Sequence, residues 1–237
     1  MSNDDTRLAE LKLLAPISYQ LEVPAKHPSW RLLVEAYAKP PRAYHNLGHV
    51  VAVARAFSRV KGQLERQAEV YAAVLFHDAV YELGAEHDES NEVKSARLCH
   101  EVLSGALTPK GVDHACDLIR ATQHHVKLRG TAKGDLAYFL DCDLSVLGAA
   151  PEDYERYVRG IREEYSYLPP GAFDVGRMAW LRGMLGRSRD GEPHPAAAEQ
   201  EPRIFSTDAF EQGLGDRARA NLRHELAGYE RSAGAPI

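Results

Sequence analysis

Apolar residues recur at intervals of three and four along most of the chain, and strict alternation is scarce, so the pattern predicts helices almost throughout. "WRLLVEAYAKP" reads as a helix stopped by Pro40 and Pro41, and "NLGHVVAVARAFSRV" as another ending near Gly62. "LERQAEVYAAVLFHDAVYELG" keeps the same spacing as far as Gly84. "ESNEVKSARLCHEVLSGAL" carries two candidate caps, Asp88 and Ser90, and "TPKGVDHACDLIRATQHH" opens on a Thr-Pro start signal. "GDLAYFLDCDLSVLGA" stops at Gly148, and "APEDYERYVRGIREEYSYL" places Pro151, Glu152 and Asp153 in a first turn that suits the helix dipole. "PGAFDVGRMAWLRGMLGRS" and "STDAFEQGLGDRARANLRHELAGYE" complete the set. Between them, residues 188–202, "SRDGEPHPAAAEQEP", are polar and read as a mobile loop. With no internal repeat, the expectation is an all-α, single-domain helical bundle.

The 237 residues suffice for one substantial core or two small ones. No apolar run approaches the ~18 residues needed to cross a bilayer. The acidic opening "MSNDDTRLAELKLLAP" does not resemble a secretory signal. Cys99, Cys116 and Cys142 are widely spaced and odd in number, which predicts reduced thiols rather than a disulfide framework. Together these features predict a cytoplasmic protein with no membrane partner. A formal net charge of −5 without a long basic block argues against nucleic-acid polymers, whose binding depends on neutralising many phosphates. A small anionic ligand held by a local cluster of charge is compatible with this composition.

"YHNLGHV" sets His45 and His49 four apart, on one face if the segment is helical. "LFHDAVY" adds His77 and Asp78, about 100° apart on a helix. "LDCDLS" supplies Asp141 and Asp143, which diverge so strongly that only one of them can face the same ion. Polar groups among Val, Leu and Phe are costly to bury unless something compensates, and a shared cation would do so. Two imidazoles and two carboxylates form a mixed N/O set suited to Mn, Fe, Co, Ni, Zn or Mg, with positions left for water. Each piece alone is weak, because a histidine on an apolar helix face is more often a satisfied core residue. The order H, HD, D, each on an apolar helix, is what favours a metal.

These residues resemble the HD superfamily of metal-dependent phosphohydrolases, whose signature is H…HD…D on a helical bundle. "YHNLGH" is similar to the YHNxxH segment of cyclic-nucleotide phosphodiesterases, and "CDLS" to the segment around their last metal-binding aspartate. The chain as a whole looks closer to a bacterial group of predicted HD phosphohydrolases. That group carries "NE..SA" after the HD pair, here Asn91, Glu92, Ser95 and Ala96. It also carries "IF…AR.NL", here Ile204, Phe205, Ala218, Arg219, Asn221 and Leu222. This resemblance spans roughly residues 28–226. It implies a divalent metal held by His49, His77, Asp78 and Asp143, with Asp143 preferred to Asp141, and His45 as the group that protonates a leaving oxygen.

Other roles follow from that chemistry. Asp78 could take a proton from water, and Glu92 could orient water or a ligand histidine, although a solvated face of a charged helix explains it equally well. His124 and His125 are candidates for substrate phosphate or a second metal, against an ordinary helix C-terminus that favours imidazolium. Lys94, Arg97, Lys127 and Arg129 are candidate phosphate contacts, although such residues are usually surface. His27, His87, His100, His114, His194 and His224 fit no spacing, and Tyr154, Tyr157, Ile161 and Tyr165 form a stripe expected to pack in the core. The expected function is metal-dependent hydrolysis of a small phosphate ester, a nucleotide among the candidates. The alternative is a regulatory module that binds metal or nucleotide and turns nothing over.

Overall fold

A computed structural model describes residues 2–15, 28–39, 42–84, 88–187 and 201–233. Pro40, Pro41, His27, His87, His194 and residues 188–200 of the expected mobile loop lie outside the described residues. Glu201, at that loop's end, is tied to Arg219 and Arg223. Among the described residues every regular element is an α- or 3₁₀-helix, isolated bridges such as Ser104 with Leu107 aside, so the chain is all-α. None of these helices is long and apolar enough to cross a membrane. Packing divides the chain into two compact units, Met1–Gln123 with Gly134–Asp143, and His124–Lys133 with Leu144–Ile237.

The first unit contains α1 (Asn3–Leu14), α2 (Pro28–Tyr37), α3 (Leu47–Val60), α4 (Gln67–Phe76), α5 (Asn91–Leu103) and α6 (Pro109–Ala121). It also contains most of α8 (Gly134–Leu144), which follows the short α7 (His125–Leu128). Its centre is α4, whose residues Val70 through Phe76 are each at most 2% exposed. A helix apolar on every face must be enclosed, and α3, α5 and α6 pack against it. Caps fix several starts: Ser2 forms a capping box with Asp5, Ser90 rather than Asp88 caps α5, and Thr108 caps α6 ahead of Pro109. Asp135, in the first turn of α8, accepts bonds from the backbone N–H groups of Glu65 and Arg66, both at 2.9 Å, and so covers the start of α4. The three cysteines are free and buried.

In the second unit α9 (Pro151–Glu164) and α11 (Asp208–Ala233) pack on the 3₁₀ turn Ser145–Gly148, and α10 (Ala172–Met184) packs on α11. Tyr154, Tyr157 and Ile161 are buried, as the stripe predicts, whereas Tyr165 at its end is half-buried. Asn221 donates to the carbonyls of Leu147 and Ala149 at 2.8 and 3.0 Å, which holds that turn on α11. Gly148 lies so close to α11 that a Cβ there would meet the Leu214 Cβ at 2.6 Å and the Leu214 carbonyl oxygen at 3.0 Å. Gly148→Ala is therefore expected to destabilise the protein by about 1–3 kcal/mol through overpacking. Chemical denaturation would reveal it as a lower midpoint at unchanged slope.

Candidate metal centre

Two of the predicted helices end or begin elsewhere than the pattern suggests, and both differences shape the site. Asn46 caps α3, its side-chain oxygen accepting from Gly48 N at 2.8 Å, so His45 precedes the helix instead of sharing a face with His49. Likewise α4 stops at Phe76, and residues 77–84 leave it in turns, so His77 and Asp78 sit at a helix exit rather than within a helix running to Gly84. That exit is fastened from several sides. Ser95 Oγ accepts from Val80 N at 3.0 Å and donates to Val80 O at 3.1 Å. Asn91 bonds both the N–H and the carbonyl of Glu82 at 3.0 Å. Tyr37 donates to Leu75 O at 2.9 Å, which satisfies one of the carbonyls that a helix C-terminus leaves open.

The third contributor is α8. Asp135 at its start meets the start of α4, and Asp143 near its end meets His77, so the two helices run in the same direction. Eight residues of α-helix rise about 12 Å, and that advance brings the second aspartate level with the exit of α4. Asp141 is 1% exposed, as expected for a residue about 160° away around the helix, whereas Asp143 reaches the histidines.

The side chains converge closely. His49 Nε2 and His77 Nε2 are 3.0 Å apart. Asp78 Oδ2 is 3.1 Å from His77 Nε2 and 3.5 Å from His49 Nε2. Asp143 Oδ1 shows the reverse, 3.1 Å from His49 and 3.5 Å from His77. His49, His77 and Asp78 offer ligand atoms that all lie within 4.8 Å of one another, and Asp143 joins them through the two imidazoles. Ligands about 2.1 Å from one ion are separated by about 3.0 Å along an octahedral edge and about 3.4 Å along a tetrahedral one. The spacing of the His49, His77 and Asp78 donors therefore suits a divalent cation. His77 is also prepared for that role, because its Nδ1 lies 3.0 Å from Val74 O and must donate there, which directs the Nε2 lone pair of the neutral ring at the cluster. Phe139, edge-on to the same ring at 6.1 Å, limits its rotation.

Charge shapes the site without a cation. Burial works against the His77 imidazolium, yet Asp78 and Asp143 outweigh it and hold this group well above its ordinary 6.5. Burial also acts to raise Asp78, and the facing histidines His77, His45 and His49 reverse this, leaving it below the usual carboxylate range. For metal-free protein the sign follows directly. A raised histidine contributes stability in full below 6.5 and loses it as pH rises through the folded value. Urea unfolding of chelator-treated protein is therefore expected to show stability falling above pH 6.5, by up to about 1.4 kcal/mol per pH unit from this group.

His45 lies beside the cluster, its ring 5.8 Å from that of His49 and stacked on Tyr81 at 4.2 Å. The remaining sequence candidates are placed differently. Glu92 is half-buried in the first turn of α5, and Lys94 is paired with Glu82 at 2.6 Å. Arg97 pairs with Glu89, and Arg129 donates to the carbonyls of Gly183 and Arg203. His124 and His125 belong to the second unit, at the end of the 3₁₀ turn Thr122–His124 and the start of α7. Sequence reading passed over Arg42, whose guanidinium bonds backbone on both sides of the cluster. An arginine three positions before a candidate histidine was the available signal, and it is a faint one. Comparison with protein-family models, with curated proteins and with solved structures finds no match.

Proposed function

We propose that the chain is a metal-dependent hydrolase of a small phosphate ester, a nucleotide among the candidate substrates. The observation that carries this reading is the approach of the His49 and His77 ring nitrogens to each other at 3.0 Å and to carboxylate oxygens of Asp78 and Asp143 at 3.1–3.5 Å. Those four residues would hold the ion. The chemistry supplied by a divalent ion bound there is acidification of water and polarisation of a phosphoryl oxygen. Asp78 would also offer a carboxylate oxygen to a proton released from water. His45 delivers a proton to the leaving oxygen, and its stacking on Tyr81 fixes the plane of the ring.

Protein loaded with Mn or Co is expected to hydrolyse at least one member of a panel of phosphomonoesters, phosphodiesters and nucleotides, and a chelator should stop it. Bound metal with no turnover across the panel would leave the regulatory module as the better reading. Absence of metal uptake would remove both.

A further inference from the structure

The geometry points to Arg42 as a positioning residue that keeps His45 in register with Asp78. Its NH1 donates to His45 O at 2.7 Å and to Asp78 O at 2.8 Å, and its NH2 donates to Ala79 O at 3.1 Å. One planar group thereby joins the loop that enters α3 to the exit of α4. The plane itself is held by aromatic rings, with the guanidinium carbon 5.1 Å from the Tyr37 ring centre and 5.6 Å from that of Tyr81. Tyr81 in turn stacks on His45 at 4.2 Å, so Tyr37, Arg42, Tyr81 and His45 form a continuous series of contacts. Asn46 extends it to the backbone of Arg42, donating from Nδ2 to Arg42 O at 3.2 Å.

The two segments so joined supply the proposed proton donor and one of the proposed ligands. Without the guanidinium, the Asp78 and Ala79 carbonyls lose a charged donor at a helix exit, and the backbone beneath the Asp78 carboxylate loses its tie to the loop that enters α3. A lysine would keep the stem between Tyr37 and Tyr81 and keep the charge. Its compact ammonium lacks the rigid fork that reaches His45 on one side and Asp78 with Ala79 on the other. Packing alone is therefore restored by lysine, and positioning is not.

This inference rests on the metal reading above, and titration with Co2+ separates the two. Wild-type protein, Arg42→Lys and Arg42→Ala are titrated with Co2+ alone, following the visible absorption of the bound ion, with circular dichroism recording the fold of each. Both variants are expected to bind at least tenfold more weakly than wild type, with an altered absorption band. Millimolar methylguanidinium should recover most of the loss in Arg42→Ala. If wild type and Arg42→Lys bind within threefold of one another with the same band, Arg42 is a structural plug and the positioning role is overturned while the metal reading stands. If Arg42→Ala fails to fold, the comparison with Arg42→Lys decides alone. If wild type itself takes up no Co2+, the metal reading fails and takes this inference with it.

Discussion

Asp78→Ala is expected to lower metal uptake at least about 100-fold and to reduce hydrolysis by the loaded protein to background. Asp78 Oδ2 lies 3.1 and 3.5 Å from the two imidazole nitrogens, and its backbone carbonyl is pinned, so a neighbouring residue cannot slide into its place. The loss extends beyond one ligand, because His77 also loses the carboxylate that most strongly opposes the effect of burial on its charge. Asp78→Asn separates shape from charge, since it keeps the volume and one oxygen but removes the anion. Thermal melts give a second readout. An ion present at a thousand times its dissociation constant adds about 4 kcal/mol to stability, and a 100-fold loss of affinity should cut that increment to about 1.4 kcal/mol. Calorimetric titration showing unchanged uptake in Asp78→Ala would contradict the assignment directly.

A loss of about 3–5 kcal/mol is expected from Glu225→Ala, in the second unit, which corresponds to a fall in melting temperature of about 6–20 °C. Arg177 and Glu225 form a bidentate pair at 2.8 and 3.1 Å with side chains 8% and 6% exposed. Tyr154 donates to the same carboxylate, Arg177 donates to Tyr157 Oη at 3.0 Å, and the guanidinium lies over the Trp180 ring at 4.4 Å. Truncating the glutamate leaves a buried cation with its remaining partners neutral, and that desolvated charge is the source of the loss. The double variant Arg177→Met with Glu225→Leu is expected to recover most of it, because no charge then remains to be desolvated. If the double variant is as unstable as the single, the energy lies in packing shape, and the electrostatic account is wrong.

Helical class was legible because most apolar residues obey one period. The site was legible in part, for reasons that individual residues make plain. Histidine and aspartate beside Val, Leu and Phe mark themselves, and His49, His77, Asp78 and Asp143 do meet. Where α4 ends was hidden, since "FHDAVYELG" continues the helical spacing, and the stop is imposed by Ser95, Asn91 and Arg42 from elsewhere in the chain. What the segments "NE..SA" and "IF…AR.NL" do in the fold could not be read from the sequence. Asn91 and Ser95 hold the exit of the HD pair, Ile204 and Phe205 are buried, and Asn221 holds the turn after α8. The partner of Lys94, a candidate phosphate contact, was not legible either, because Glu82 stands twelve residues earlier and outside α5.

The path of the chain gives the first unit a particular vulnerability. Residues 1–123 build most of it, the chain then departs for His124–Lys133, and only on return does α8 deliver both Asp135 and Asp143. Any fragment cut short before residue 134 lacks the carboxylate over the start of α4 together with the last member of the cluster. During synthesis, the residues that gather around the proposed cation therefore stay one short until residue 143 has emerged.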